Sequence, residues 1–250
     1  METLREILMN SSAADLEVLA EYQKELTKYQ TVSSQELKIS FLINEIRHNG
    51  GNTFANLIRG NGVEYDEIVR DVAKHLKVNF NSQKPPDTDF LELEIIKKMI
   101  TDEFSKMDPA QQKEVLASLG AENMDLLKVS PVVLAGLLAA NLSGFAIFRL
   151  SAIAANAIAR FILGRGLTFG ANTLLTRSLA VATGPVGWVL GTAWMAVDLA
   201  GPAYRITVPS VIHIALLRQK YRTTRQPQCS NCGAPVLQGT KFCAECGTKI

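Results

Sequence analysis

The tail of this 250-residue chain constrains its fold more tightly than any other part. All four cysteines lie there as two C-x-x-C pairs, Cys229 with Cys232 and Cys243 with Cys246. Each pair can set two sulfurs on one side of a tight turn, and two facing turns supply the four thiolates of a tetrahedral structural shell. Gly233 and Gly247 each follow the second cysteine of a pair. There, freedom to take positive φ lets backbone N–H groups turn toward the sulfurs. Phe242 is placed to cover the metal from one side. The pattern predicts one structural Zn²⁺ per chain. A catalytic zinc needs an open position, which four cysteines do not leave. A redox C-x-x-C needs one pair in a thioredoxin-like setting rather than two facing pairs. Thiolates kept for metal, with none left over, predict a reducing compartment and so the cytoplasm.

Charge divides the rest of the chain. Residues 1–128 carry 15 Lys and Arg against 22 Asp and Glu, a net of −7. Residues 129–217 carry five Arg and one Asp, and residues 218–250 carry six bases and one acid. An acidic front, a nearly uncharged middle and a basic end predict separate tasks. The start, Met1 to Glu6, lacks the basic and apolar regions of a secretory signal.

Residues 1–128 read as an acidic amphipathic helical part. Ser12 is placed to cap a helix carrying Leu16, Leu19 and Leu26, and Phe41, Leu42, Ile43 and Ile46 mark a second helix ending near His48. Gly50-Gly51 breaks the chain, and a short helix through Phe54, Leu57 and Ile58 follows. Residues 63–78 bring Ile68, Val69, Val72 and Leu76 to one face. Past a Pro85-Pro86 loop, Phe90, Leu93, Ile96, Ile100 and Phe104 predict a helix over 88–107. Asp108 as N-cap, Pro109 at N1 and Gln111 at N3 form a helix start, and Gly120 a stop. No segment alternates as a strand does. The fold class is therefore mainly α, with a small C-terminal zinc ribbon over 228–250.

Residues 129–221 form an apolar, Gly/Ala-rich helical part, with a hairpin packing on the front or on a membrane. Ser130-Pro131 starts one uncharged run, 129–148, and a second extends over 178–197, with Gly184-Pro185-Val186-Gly187 as a turn. Each run has about the length of a transmembrane helix. In the first, about ten strongly apolar residues at −0.3 to −0.6 kcal/mol each give only about −3 to −6 kcal/mol toward insertion, opposed by Asn141, Ser143 and Pro131. Core and membrane readings both stand at this point. Arg160 and Arg165 suit an anionic interface better than mid-bilayer. A last helix over 207–221 places Pro209 in its first turn.

Several collinear segments resemble the YaaW family of bacterial proteins. They are G-G-N-T-F-A-N-L-I-R-G from Gly50, V-E-Y-D-E-I-V-R-D-V-A-K-H-L-K-V from Val63, K-M-D-P-A-Q-Q-K-E-V-L from Lys106, G-P-V-G from Gly184 and A-Y-R-I-T-V-P-S-V-I-H-I-A-L-L-R from Ala203. The family is loosely grouped with ubiquinol–cytochrome c chaperones. The resemblance implies no particular activity, and it brings no catalytic residues. The appended tail, which departs from that family, resembles the short zinc ribbons that end many prokaryotic proteins.

No enzyme is expected. His48, His75 and His213 share no ligand spacing, no Walker A sequence is present, and Ser143-Gly144 lacks a nucleophile elbow. Asp198 is the one acid of the middle and suits a core ion pair. The first function expected is interaction with another protein. The second is a membrane-active protein that inserts its apolar hairpin, in pore formation or membrane remodelling, from the cytoplasmic side of an anionic membrane. Nucleic acid is not expected as the main ligand, because Arg218, Lys220, Arg222 and Arg225 have few aromatic neighbours to stack bases.

Overall fold

A computed structural model describes residues 2–50, 62–119, 121, 123–140, 144–167, 204–236, 239–243 and 246–250. Across them run α1 (Leu4–Met9), α2 (Ala13–Tyr22), α3 (Leu26–Thr31), α4 (Gln35–Asn49), α5 (Tyr65–His75), α6 (Thr88–Phe104) and α7 (Pro109–Ser118). A 3-10 turn (Leu126–Lys128), α8 (Pro131–Ala140), α9 (Gly144–Leu163) and α10 (Tyr204–Thr224) follow. No described residue belongs to a β-sheet. Two isolated bridges lie in the tail.

Local chemistry starts and stops these helices. The Ser12 hydroxyl accepts from the Asp15 N–H at 3.2 Å while Asp15 Oδ2 accepts from the Ser12 N–H at 3.1 Å, a reciprocal capping box. The expected helix through Leu26 ends earlier, because Lys24 turns into the left-handed region at φ 61° and Leu26 opens α3. Asp108 caps α7 by accepting from Ala110 at 2.8 Å, and Ser130 caps α8 from Val133 at 3.3 Å. In α6 the buried face is Leu91, Ile95, Ile96, Met99, Ile100 and Phe104. Phe90, expected on that face together with Leu93, is 49% exposed. Leu91 and Ile95 hold the inward positions instead, since their stripe is continuous with Met99.

The architecture is organised around α10. Every residue from Thr207 to Gln219 is buried, and this helix packs against α1, α2, α4, α5, α6 and α9. The expected single apolar face of 207–221 is therefore a helix enclosed on all sides. It also begins sooner than predicted, so Pro209 lies in its second turn, where it omits one backbone donor. The uncharged run 129–148 holds the whole of one described helix and the start of another. Its first part is α8, which lies against α6, and its second part opens α9, which runs on through Arg149 and Arg160 to pack against α10 and α6. Ala152, Ala155, Ala157 and Ala159 are buried in α9, and small side chains let two helices approach closely. The predicted short helix after Gly50, the Gln111 side chain, Gly120, the run 178–197 with its Gly-Pro turn, and Asp198 lie outside the described residues.

The charge asymmetry of the sequence is consumed inside the fold. Arg218 of α10 donates from Nε and Nη2 to the two carboxylate oxygens of Glu92 at 2.7 and 2.9 Å, and both side chains are buried. Tyr65 Oη donates to the same carboxylate at 2.8 Å, and Arg218 Nη1 donates to the Glu2 carbonyl at 2.7 Å. Burial pushes Glu92 up, and its bonds to Arg218 oppose the rise. Lys220 donates to Asp15 at 2.6 Å, and Arg222 donates to Glu2 at 2.6 and 2.9 Å and to Asp89 at 2.8 Å. Arg225 lies 3.9 Å from Glu6. Arg165 is ion-paired with Glu21.

Removing one partner of a buried pair strands the other charge. Arg218→Met is expected to cost about 3–5 kcal/mol, measured by urea unfolding, whereas Arg218→Met with Glu92→Leu recovers most of it. Acid sensitivity follows from two other groups. Burial lowers His213 from 6.5 to about 4, so the unfolded chain binds a proton between these values that the native chain refuses. Stability therefore falls as pH drops through that window. The Arg222 hydrogen bond holds Glu2 at about 2 against the usual 4.5. Its contribution is present above pH 4.5 and is lost as pH falls toward 2. Urea midpoints taken across this range should decline below pH 6.5, and His213→Gln should flatten the part between 6.5 and 4.

Candidate metal centre

Two copies of one backbone turn build the tail. In the first, the Gly233 N–H bonds the Cys229 carbonyl at 2.8 Å and the Cys229 N–H bonds the Ala234 carbonyl at 2.8 Å. Fourteen residues on, the Gly247 N–H bonds the Cys243 carbonyl at 2.9 Å and the Cys243 N–H bonds the Thr248 carbonyl at 2.8 Å. A β-bridge closes each turn, Gln228 to Pro235 and Phe242 to Lys249. Gly233 and Gly247 sit at φ 71° and 70°, a conformation that a side chain disfavours and that both turns require.

The turns face each other through sulfur. Cys229 Sγ lies 3.7 Å from Cys246 Sγ, Cys232 Sγ lies 3.6 Å from Cys243 Sγ, and all four fall within 4.8 Å of one another. A metal with bonds of about 2.3 Å to a sulfur tetrahedron sets S···S edges near ~3.8 Å, whereas a disulfide would bring two sulfurs to about 2.05 Å. The arrangement therefore fits a four-thiolate metal shell and no disulfide. Phe242, expected to cover the metal from one side, is largely open to solvent. Its ring is 60% exposed, while Ala234 and Val236 are the buried side chains of the first turn. Phe242 stands at the bridge position that corresponds to Gln228.

Two polar residues that cysteine spacing could not reveal complete the site. Asn231 Nδ2 of the first turn donates to Thr248 Oγ1 of the second at 3.0 Å, and the Thr248 hydroxyl is hydrogen-bonded with Cys246 Sγ at 3.2 Å. This hydrogen bond draws Cys246 down to about 6. The backbone N–H groups of Cys232 and Asn231 lower Cys229, whereas burial pushes Cys232 up to about 12. Metal binding must therefore displace protons from some of the thiols. The only sign of these partners in the sequence is the polar character of the turns.

The histidines stay apart from this chemistry. The His48 ring donates from Nδ1 to the Asn44 carbonyl at 2.9 Å, and His75 stacks on Tyr204 with centroids 3.6 Å apart. The buried His213 donates from Nε2 to the Asp15 carbonyl at 3.1 Å. Among the described residues the four cysteines form the only cluster with metal-ligand geometry.

The fold and the site together define a mainly helical protein that carries a C-terminal cysteine ribbon, and residues 228–250 match the family model of a zinc-ribbon domain. The chain is 40% identical over 186 residues to a UPF0174 protein of Helicobacter pylori strain J99, covering 74% of this chain and 73% of the relative. A second UPF0174 protein, from Helicobacter pylori strain 26695, is 37% identical over 182 residues, 71% of this chain and 86% of that one. The UPF0174 protein YaaW of Escherichia coli K12 is 31% identical over 182 residues, 72% of this chain and 71% of its own length. The chain belongs to the UPF0174 family, the one that its collinear segments resemble. No solved structure matches it significantly.

Second-layer hydrogen bonds to metal ligands are typically worth 10–100-fold in affinity. Thr248→Val is expected to weaken metal retention about tenfold or more in competition with a chelator, with the helical circular dichroism unchanged.

Proposed function

We propose that this protein is a non-enzymatic, zinc-binding helical protein that acts in protein interaction or assembly in the cytoplasm, with its ribbon as the docking module. Zinc suits the donor set, since thiolates favour it and it accepts a tetrahedron without strain. Four protein ligands complete its shell, which gives the ion a folding role for the tail and leaves no coordination position for a substrate.

The observation that carries the docking role is the exposure of Phe242 at 60% and Ile250 at 51% on a ribbon of 23 residues. The bridge pairs Phe242 with Lys249, and Lys241 and Lys249 are both exposed. Aromatic rings held open on a small rigid module, with cations at the rim, are the usual anchors of protein interfaces. Nucleic acid is less well served. Arg218, Lys220, Arg222 and Arg225 are engaged by carboxylates of the front helices, and charge already neutralised releases few counterions.

Protein purified without chelator should hold one zinc per chain by elemental analysis. Cys243→Ser should lose it while the helical signal of the body persists; absence of zinc from the parent overturns the metal assignment. Phe242→Ala should keep the zinc. It should also abolish the in-cell crosslinks that a photoreactive residue at position 249 forms with a defined partner protein. Crosslinks unaffected by Phe242→Ala, or crosslinks to RNA alone, would overturn ribbon docking.

A further inference from the structure

The start of α6 presents apolar side chains that the buried core does not use. Phe90 is 49% exposed, and Leu93 and, from α9, Ile147 are only half-buried. All three line a cleft of about 640 Å³, inside the range of about 300–1,000 Å³ that ligand pockets occupy. The loop before α6 supplies one wall through Pro85 and Pro86, and the end of α10 supplies Gln219 and Arg222. Arg222 is held by Glu2 and Asp89, as Arg218 and Lys220 are held by other carboxylates. Gln219, between them, is the exception. It is 7% exposed, yet its side-chain amide bonds to no described residue. Buried polar side chains nearly always find a partner, and the space that this one lines is the cleft.

We propose that this cleft receives an extended peptide segment of a partner protein. Gln219 clamps one peptide group of the segment, and an apolar side chain beside that group lies against Phe90, Leu93 and Ile147. Three properties select this occupant. A primary amide carries a donor and an acceptor side by side, the same pair that a peptide group presents, so the two bond reciprocally. The charges at the cleft cancel, Lys84 and Arg222 against Asp87 and Asp89. A phosphate would meet two carboxylates there, whereas a peptide group is neutral and meets no such opposition. The cleft is open to solvent, so a chain can enter and leave it, while a small molecule depends on being largely enclosed. Pro85 and Pro86 have a fixed φ, so their wall needs little ordering on binding. An aromatic ring held open beside apolar neighbours supplies the anchor. The cleft lies on the helical body, so this reading goes beyond ribbon docking and does not rest on it.

The test is a nuclear magnetic resonance titration of the full-length, zinc-loaded, isotope-labelled protein. The probes are the acetylated and amidated peptide Ala-Ala-Leu-Ala-Ala and its all-alanine counterpart. The leucine peptide should move the signals of the Gln219 side-chain amide and of the Leu93 and Ile147 methyl groups. It should bind about tenfold more tightly than the alanine peptide, the worth of burying most of a Leu side chain. Gln219→Leu, which keeps the volume and removes the amide, should weaken the leucine peptide about two- to tenfold, the net worth of one hydrogen bond. Phe90→Ala should weaken it by about tenfold. Phe90 is half exposed, so circular dichroism should be unchanged in that variant, and it decides the matter should Gln219→Leu fail to fold. Cys243→Ser should leave binding intact, which separates this site from the ribbon. No shift at the cleft with the leucine peptide, equal binding of the two peptides, or binding that Phe90→Ala does not alter overturns the proposal. Adenosine monophosphate that moves the same signals and displaces the peptide would make the cleft a nucleotide site, and would equally overturn it.

Discussion

Arg218 and Glu92 are both buried at about 1% exposure, and the rest of the body depends on their meeting. Each ion alone would cost several kcal/mol to take out of water. Together, with Tyr65 as a third donor and the Glu2 carbonyl receiving the remaining guanidinium arm, they leave little unsatisfied. That requirement fixes three elements at once: the start of α1, the axial position of α6, and the depth of α10. A slip of one turn in α10 would move Arg218 by about 5.4 Å and leave both charges without partners. Lys220 and Arg222 repeat the same registration at the helix end. Lys220 reaches the Asp15 carboxylate that also closes the α2 capping box, so a local helix start and a contact across 205 residues share one oxygen.

The tail solves its stability problem differently. A segment of 23 residues cannot bury enough apolar surface to hold itself, and here the covalent reach of four sulfurs replaces a core. The two turns are related by a displacement of fourteen residues, with matched glycines, matched carbonyl acceptors and matched bridges. The second layer breaks this internal symmetry. Asn231 and Thr248 link the two turns in one direction only, and the first turn buries Val236 while the second leaves Ile250 open. The exposed apolar residues of the ribbon, Phe242 and Ile250, therefore both lie on the second turn.

These two modes of stabilisation explain what the sequence reveals. The ribbon is legible because its geometry is encoded within a few residues: C-x-x-C, then glycine, twice. Capping signals are equally local, so Ser12, Asp108 and Ser130 mark true helix starts. Glu92 and Arg218 are not legible, since each reads as one of many surface charges and only the fold joins them. The same blindness shifted the reading of α6, where Phe90 is the more apolar residue but Leu91 has the inward angle. The exposure of Phe242 is likewise decided by bridge pairing with Lys249 and not by cysteine spacing. Asn231 and Thr248 look like ordinary turn residues until the two turns are brought face to face.

The apolar middle shows why composition alone cannot separate core from surface. α8 and α9 have nearly the same hydrophobic character, and a scale of residue hydropathy ranks α8 the higher. Their fates differ through the shape of what they present. α9 offers alanines at 152, 155 and 159 along one side, so α10 can approach closely and bury both helices together. α8 buries Leu134 and Leu138 against the body, and the opposite side, from Val132 to Ala139, remains outside. A helix needs apolar residues on one stripe to belong to a core. α8 carries them all round, and the described residues of the body use only its Leu134 and Leu138 side.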